Sequence, residues 1–276
     1  MKVAFLTTVF LENEQYLNDF FLSLQNQTYK KFDVIVVNDG FTDFKYIKEI
    51  YSPTLNLIEL QHQNTPAKNR EFGINFCIDN NYDILIFGDS DDFFSNNRIE
   101  TSISLLKVYD IIVNDLTILS DNKIDDIKYI SNRIKNLQKI NIDFIKNKNI
   151  FGFTNTAINL TKLKMDVSFE KDIIATDWYF YSKLLIDDLK SVFTCNAHTF
   201  YRQHTNSLIG LGKLSEKVIQ TSIEVKLNHY KKLNWVEHFE VIKRIKLADR
   251  SKLIRAYMLN RLYKPLWWEE IRLIAL

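Results

Sequence analysis

The chain has 276 residues, enough for one large domain or for one domain with a smaller appendage. Hydrophobic residues make up 46% of it and charged residues 25%, which is typical of a globular protein and excludes a disordered or collagen-like chain. The net charge of +2 argues against a protein that binds nucleic acid through its overall charge. From residue 231 onwards there are 11 Lys and Arg residues and 5 Asp and Glu residues, so a basic tail follows an acidic body.

Neither the cysteines nor the N-terminus indicates export. Cys77 and Cys195 are the only cysteines and form no CxxC pattern, so we expect no disulfide framework or zinc site, and a reducing cytosol fits. The first stretch, MKVAFLTTVFL, has a lysine and a short apolar run but no small-residue cleavage site, and we interpret it as a strand. No segment is long and apolar enough to span a bilayer. The expected location is the cytoplasm, including the inner face of the cell membrane.

The first hundred residues alternate β-rich runs with helical patterns. The predicted strands cover residues 2–7, 33–37, 55–60 and 84–87. A helix between the first two strands is predicted by four apolar residues at helical spacing: Leu17, Phe20, Phe21 and Leu24. Another helix is predicted to begin after Thr65, a suitable N-cap, with Pro66 at its first position. This alternation predicts a parallel sheet with right-handed crossovers, which binds ligands beyond the carboxyl ends of its strands.

The rest of the chain gives a less regular pattern. Helices are predicted over residues 95–107, 177–189, 213–233 and 237–262. A strand is predicted over residues 110–119, and one or two short strands over residues 191–204. Residues 121–149, rich in Asn, Lys, Asp and Ile, give only a weak assignment.

An acidic cluster follows the fourth predicted strand, where LIFGDSDDFF contains Asp89, Asp91 and Asp92. Carboxylates this close repel one another unless a positive charge lies among them. Mg²⁺ and Mn²⁺ prefer oxygen ligands and are often held by one or two carboxylates together with substrate phosphates. The alternative is a solvated turn that caps the helix beginning near Ser95. Because the cluster ends a buried strand of a β/α chain, we prefer the metal site.

Six stretches occur in the order expected of one enzyme family: TTVFLENEQYL, VVNDGFTD, NTPAKNREFGI, LIFGDSDDFF, ATDWYFYSKLL and YRQH. Together they resemble the GT-A glycosyltransferases of the family 2 type, which transfer sugars from nucleotide-diphosphate donors. The resemblance covers residues 1–206 and implies an α/β fold of the GT-A type, a Rossmann-like, mostly parallel sheet flanked by helices. We accordingly predict a catalytic domain of residues 1–210, with a nucleotide-binding half (1–110) and an acceptor half (111–210). A helical, basic and aromatic extension of residues 211–276 would follow.

The resemblance also implies roles for the matching residues. Asp39 would hydrogen-bond the donor base, and Arg70 would lie near the nucleotide, with Asn69 as a further candidate. The wall of the base pocket would be formed by Val9, Phe10, Leu11 and Glu12. The donor and metal site would contain Asp89, Ser90, Asp91 and His204, with Asp91, Asp89 and His204 as metal ligands. Asp177 would be the catalytic base and Trp178 a wall of the acceptor cleft.

Two positions depart from the family pattern. Thr176 stands where the family commonly has Glu before the base, and Phe10 stands where a base-stacking Tyr often lies. The first departure concerns the acceptor contact and the second the recognition of the donor base.

Several of these residues also have a structural interpretation. Asp177 could serve as an N-terminal helix carboxylate, and Asp39 as part of an Asp-Gly turn. Arg70 could form an ion pair with Glu71 or Asp92. His204 could be a surface histidine and Trp178 a core residue, and Arg202 is a lesser candidate for neutralising phosphate.

These residues are consistent with one reaction. A divalent cation, Mn²⁺ or Mg²⁺, would stabilise the charge on the departing nucleoside diphosphate, and a carboxylate would take the proton of the acceptor hydroxyl. We therefore predict a metal-dependent inverting glycosyltransferase acting on a glycan or lipid-linked glycan acceptor in bacterial surface polysaccharide synthesis. The default donor is a UDP-sugar, and no nucleic-acid partner is expected.

Three alternatives differ in testable ways. A sugar-nucleotidyltransferase would need a glycine-rich, basic loop after the first strand, and TTVFLENEQ has neither feature. A non-catalytic member that binds a sugar nucleotide or acts as a scaffold would tolerate loss of Asp177. A glycoside hydrolase would pair two carboxylates across a cleft without needing a metal.

The C-terminal tail mixes basic residues with Trp267, Trp268, Tyr257 and Tyr263, which suits a membrane interface. The alternatives are a helix packed on the catalytic domain or a homodimer contact.

Overall fold

The computed structural model describes residues 1–10, 14–120, 123–164, 166–203, 216–262 and 265–270. The chain forms two units. Unit 1 contains Met1–Ile140, Gly152–Phe169 and Asp188–Arg202, and unit 2 contains Asn141–Phe151, Glu170–Asp187 and Gln203–Leu276. The predicted boundary at residue 210 lies outside the described residues, so the division into a catalytic domain and an extension stays a prediction.

Unit 1 is built on a sheet with helices packed against it. The strands are β1 (Val3–Val9), β2 (Asp33–Asn38), β3 (Asn56–Gln61), β4 (Ile84–Phe87), β5 (Phe93–Phe94), β6 (Ile111–Ser120), β7 (Lys123–Asp126), β8 (Lys139–Ile140), β9 (Thr156–Asn159) and β10 (Ser191–Gln203). The helices are α1 (Glu14–Gln25), α2 (Phe44–Tyr51), α3 (Pro66–Asp79), α4 (Arg98–Leu105) and a short 3-10 helix (Leu160–Lys162).

The sheet has the strand order β3-β2-β1-β4-β9-β6-β10-β5, with β7 beside β6 and β8 beside β10. Strands β3, β2, β1 and β4 are parallel, and β9 joins them antiparallel to β4. The prediction of an α/β fold with a Rossmann-like sheet is confirmed. Strand β10 is one continuous strand of 13 residues, longer than the one or two short strands predicted there.

The apolar pattern explains why these strands lie at the centre. Every residue of β1 and β4 is buried, as expected for parallel strands covered on both faces. The apolar residues predicted to form one face of α1 are all buried in the same core: Leu17, Phe20, Phe21 and Leu24.

Helix α3 lies unusually close to the sheet. It begins as predicted, because the Thr65 hydroxyl accepts a hydrogen bond from the Lys68 amide at 3.4 Å and Pro66 occupies the first turn. At Gly73, an added Cβ would lie 2.6 Å from Leu6 Cδ1 and 3.0 Å from Val37 Cγ2. Only a residue without a side chain fits there, and this close approach carries Asn69 and Arg70, on the preceding turn, toward the end of the sheet.

Unit 2 is helical among its described residues. It contains α5 (Ile142–Ile145), α6 (Thr176–Ile186), α7 (Glu216–Lys232), α8 (Val236–Lys246) and α9 (Arg250–Leu262). The prediction of one helix over residues 237–262 was wrong, because Asp249 starts a new helix. Its carboxylate accepts hydrogen bonds from the amides of Ser251 at 2.8 Å and Lys252 at 3.3 Å. No helix within the described part of the chain has the length and apolarity needed to cross a bilayer.

Candidate active site

The carboxyl ends of β1, β2 and β4 meet at one edge of the sheet, since β1 pairs in parallel with both neighbours. Short bonds connect the loops that follow. The Asp39 amide donates to the Val9 carbonyl at 2.8 Å, and the Ser90 hydroxyl donates to the Thr8 carbonyl at 2.8 Å. The structure therefore brings Asp39, Ser90 and the neighbouring acidic residues to the same edge.

Asp39 is half-buried and holds the loop after β3. Its Oδ1 accepts a hydrogen bond from the Asn64 amide at 3.2 Å. Asn69, fully buried, donates to the Asn64 carbonyl at 3.2 Å and bonds to His62 Nδ1 at 2.8 Å. Asn69 thus shapes the loop beside Asp39, and its side-chain contacts in unit 1 are structural.

The predicted wall of the base pocket is only partly described. The Val9 side chain is 0% exposed and belongs to the hydrophobic core, so its side chain does not line a pocket. Phe10 is 50% exposed, which leaves its ring accessible to a ligand. Leu11 and Glu12 lie outside the described residues.

Arg70 is held between the ends of β1 and β4. Its guanidinium donates to the Thr8 hydroxyl and forms an ion pair with Asp89, and it lies 5.6 Å from the centre of the Phe153 ring. Burial and the nearby Asp91 raise the pKa of Asp89, although Arg70 acts in the opposite direction. At this carboxyl, burial therefore outweighs the effect of the arginine.

Asp92, the third aspartate of the cluster, is a structural residue. It is 0% exposed and accepts hydrogen bonds from the Thr154 hydroxyl and from the Arg202 amide, the latter at 2.8 Å. Burial, together with the charges of Asp91 and Asp89, raises the pKa of Asp92 well above its usual range. Asp92 therefore fixes the acidic loop onto β10.

Arg202 connects the same loop to α1. Its guanidinium donates to the Asp91 carbonyl, forms an ion pair with Asp19 and stacks 4.4 Å from the centre of the Tyr16 ring. The side chain is 6% exposed. These contacts explain Arg202 as a brace of the acidic loop, whereas the sequence suggested phosphate neutralisation.

The acidic loop has the donor chemistry that a divalent cation requires. Asp89 and Asp91 are half-buried carboxylates two residues apart, at the turn that follows β4. A cation beside Asp89 would favour the charged form of this carboxyl, which burial disfavours. No group of three or more His, Cys, Asp or Glu side chains among the described residues is arranged to hold a metal ion. The predicted third ligand, His204, lies outside those residues.

Asp177 lies in unit 2, in the first turn of α6. Its Oδ1 accepts a hydrogen bond from the Trp178 amide at 2.7 Å, and its Oδ2 accepts one from Asn149 Nδ2 at 3.4 Å. The half-buried carboxylate is thus held at both oxygens.

Trp178 was predicted to line the acceptor cleft in preference to the core, and its burial corrects that preference. The side chain is 0% exposed, donates from Nε1 to the Ile145 carbonyl at 2.8 Å and stacks on His229 with ring centres 3.7 Å apart. An apolar ring so enclosed stabilises unit 2 and presents no surface to an acceptor.

Sequence reasoning missed the residues that support the site: Thr8, Asn149, Phe153 and Thr154. Two of them, Phe153 and Thr154, lie in GFTNT, just after the segment with a weak assignment. For the three polar residues the available signal was a polar side chain next to an apolar run, but nothing local indicated which residue of the site each of the four would contact.

The sequence and the fold together define a glycosyltransferase-type chain. The family model described as glycosyl transferase family 2 matches residues 5–164, more than half of the chain, so the chain belongs to this family. The predicted family and GT-A fold are confirmed.

Individual relatives agree. The chain is 30% identical over 105 residues to an uncharacterized glycosyltransferase of Haemophilus influenzae (strain ATCC 51907 / DSM 11121 / KW20 / Rd), covering 34% of this chain and 38% of the relative. S. aureus TarS 1-349 in complex with UDP-GlcNAc is similar in structure, with a TM-score of 0.60 and 16% identity over 82% of this chain and 66% of the TarS 1-349 chain. GalNAc-T7 with UDP, GalNAc and Mn²⁺ gives a TM-score of 0.51 and 10% identity over 74% of this chain and 44% of that protein. This chain thus spans less than two thirds of each of these relatives.

Proposed function

We propose that the chain is a metal-dependent, inverting glycosyltransferase that moves a sugar from a UDP-type donor to a hydroxyl of a glycan or lipid-linked glycan. Synthesis of a bacterial surface polysaccharide is the proposed context. The observation that carries the proposal is the meeting of Asp39, Arg70, Asp89 and Asp91 at the carboxyl edge of parallel strands. Ligands of open α/β sheets bind at that edge.

Asp39 and Phe10 are proposed to bind the donor base. The Asp39 carboxylate accepts hydrogen bonds and already holds the Asn64 amide, while the half-exposed Phe10 ring offers an apolar face. UDP-GlcNAc bound to TarS and UDP bound to GalNAc-T7 support a uracil nucleotide as the donor.

Asp89 and Asp91 are proposed to hold Mn²⁺ or Mg²⁺, with His204 as a further ligand. Such an ion would stabilise the negative charge that develops on the departing diphosphate. Arg70 adds a fixed positive charge at the same edge and keeps Asp89 oriented. The Mn²⁺ present with GalNAc-T7 supports this choice of metal.

Asp177 is proposed as the base. As the acceptor oxygen attacks the anomeric carbon, the Asp177 carboxylate takes the hydroxyl proton while the bond from the sugar to the diphosphate breaks. One displacement of this kind inverts the anomeric centre. General bases contribute about 10²–10⁴-fold to the rate.

The test begins with donor binding. Thermal unfolding is measured with UDP, GDP, dTDP and their sugar derivatives, each with and without Mn²⁺. A ligand at 100 times its Kd should stabilise the protein by about 2.7 kcal/mol. We expect a Mn²⁺-dependent response to uracil nucleotides that Asp91→Asn abolishes and that Asp79→Asn, a control at an exposed position, preserves. No response to any sugar nucleotide in the presence of Mn²⁺ would refute the proposal.

The second test separates catalysis from binding. Asp177→Asn should retain the response to UDP and Mn²⁺ but lose transfer by about 10²–10⁴-fold. Unchanged transfer in this variant would show that Asp177 is not the base. Donor binding without any transfer in the wild-type chain would favour a non-catalytic member of the family.

A further part of the proposal concerns location and assembly. The exposed residues of α8 and α9 and of the segment between them, which we call the α8–α9 face, include the apolar Leu247 and Met258 and the basic Arg244 and Arg255. We propose peripheral binding of this face to anionic lipid at the inner side of the membrane, with a homodimer as the competing interpretation. Trp267 and Trp268 are 7% and 6% exposed, so these residues do not act as anchors in this arrangement.

A further inference from the structure

Asn149 is fully buried in unit 2, and its side-chain amide has a fixed orientation. Oδ1 accepts a hydrogen bond from the Phe151 amide at 2.9 Å, and Nδ2 donates to the Phe151 carbonyl at 2.8 Å and to Asp177 Oδ2 at 3.4 Å. If the amide were reversed, its oxygen would face two acceptors, the Phe151 carbonyl and the Asp177 carboxylate. The N–H group must therefore point at Asp177.

The backbone around Asn149 is held by a segment near the end of the chain, residues 265–270, which we call the strap. Asn149 and Trp267 form an antiparallel bridge, in which the Asn149 amide donates to the Trp267 carbonyl at 2.6 Å. The Glu270 amide donates to the Asn147 carbonyl at 2.8 Å. The strap thus fixes the chain at Asn147 and at Asn149.

Helices α7 and α8 fix the strap in turn. The Glu270 carboxylate accepts a hydrogen bond from the Tyr230 hydroxyl at 2.9 Å and bonds to His238 Nδ1 at 2.7 Å. The ammonium group of Lys226, a residue only 2% exposed, donates to the Glu269 carbonyl at 3.0 Å. A continuous set of hydrogen bonds therefore leads from two helices through the strap to Asp177.

We infer that Asn149, held in place by the strap, is a positioning residue for the Asp177 carboxylate. The inference rests on the proposed role of Asp177 as the base. Trp178 N–H holds one carboxylate oxygen and Asn149 the other, so the carboxylate has one orientation toward its proton donor. A displacement of 1 Å at a reacting group can lower a rate by about 10²-fold. The basic, aromatic C-terminus then has a role in catalysis through Asn149.

The experiment follows UDP release from UDP-GlcNAc with Mn²⁺, with water as the acceptor that loses its proton to the base. We expect Asn149→Ala to lower kcat by about 10–100-fold, with the KM for UDP-GlcNAc and the affinity for UDP unchanged. In a protein that already carries Asp177→Asn, the same substitution should produce no further loss, because Asn149 acts through Asp177. Asn132→Ala, at an exposed asparagine, is the matched control and should behave as wild type.

The strap is tested separately by Glu270→Ala and Glu270→Gln. Glu270→Ala should lower kcat in the same way and accelerate hydrogen exchange at the Asn149 amide, whereas Glu270→Gln, which keeps an acceptor for Tyr230, should do so less. These variants also serve if Asn149→Ala does not fold.

The inference is overturned if a folded Asn149→Ala protein has the wild-type kcat. It is also overturned if the kcat of the double variant falls by the product of the losses of Asn149→Ala and Asp177→Asn. Wild-type kcat in Asp177→Asn instead overturns the proposed base, which keeps the two failures distinct.

Discussion

Arg202 offers a direct test of whether an arginine beside the acidic loop binds substrate or supports the fold. Its guanidinium bonds the Asp91 carbonyl, pairs with Asp19 and stacks on Tyr16. We choose Arg202→Met, because methionine keeps an apolar stem of similar length while removing the charge and the donors. The Arg202 amide, which bonds Asp92, is untouched by this change.

The expected cost follows from the contacts that are lost. A hydrogen bond from a charged donor contributes about 1.5–3 kcal/mol, and a stacked guanidinium about 0.5–2 kcal/mol. The Asp19 side chain is 32% exposed, so it regains water after the substitution and its ion pair adds little. We therefore expect the free energy of unfolding of unit 1 to fall by about 2–4 kcal/mol.

Urea unfolding should be followed by circular dichroism, which reports on the secondary structure of both units, because all four tryptophans lie in unit 2. Arg244→Met, at an exposed position of α8, is the matched control. Binding of uridine and of UDP, each with Mn²⁺, is measured on the same proteins. If Arg202→Met unfolds like wild type but loses affinity for UDP and not for uridine, Arg202 neutralises phosphate and the brace interpretation is wrong.

Two further predictions concern the packing of each unit. Gly73→Ala places a methyl group 2.6 Å from Leu6 Cδ1. We expect the free energy of unfolding, measured in urea, to fall by about 1–3 kcal/mol, although alanine has the better helix propensity. An unchanged urea midpoint would contradict the close approach of α3 to the sheet. Burial lowers the pKa of His229 from 6.5 to about 3, so the unfolded chain takes up a proton first as the pH falls. Stability should therefore decline from about pH 6.5 toward pH 3, by up to about 1.4 kcal/mol per pH unit, and His229→Phe should flatten that decline in pH-dependent urea titrations. If His229→Phe loses stability with falling pH as steeply as the wild type, other titratable groups cause the decline.

The first half of the fold was predictable because its signals are local. Strands β1 to β4 are short apolar runs, and Thr65 with Pro66 begins α3 where the sequence indicates. Among the later strands, β6 was also predicted, whereas β9 carries no such signal, because it spans only four residues and depends on its neighbours β4 and β6 for its hydrogen bonds. The break between α8 and α9 was visible as a capping aspartate, Asp249, but the apolar periodicity on both sides obscured it.

The candidate site divides in the same way. Asp39, Asp89 and Asp91 could be placed together, because parallel strands end at a common edge and each residue follows such a strand. The residues that hold these aspartates in place could not be identified from the sequence. Thr154 contacts Asp92 across 62 residues, and Arg202 contacts the same residue across 110, so only the folded chain shows which polar group meets which carboxylate.

The contacts of these supporting residues change the interpretation of the acidic cluster. The sequence predicts Asp89 and Asp91, but not the adjacent Asp92, as metal ligands. In the structure, Asp92 is buried, accepts hydrogen bonds from two neutral donors and serves the fold. Asp89 has Arg70 as a partner, yet its pKa is raised, so burial and the neighbouring aspartate outweigh that arginine. Asp89 and Asp91 are the two positions where a divalent cation would have oxygen ligands, and Asp92 fixes the turn that presents them.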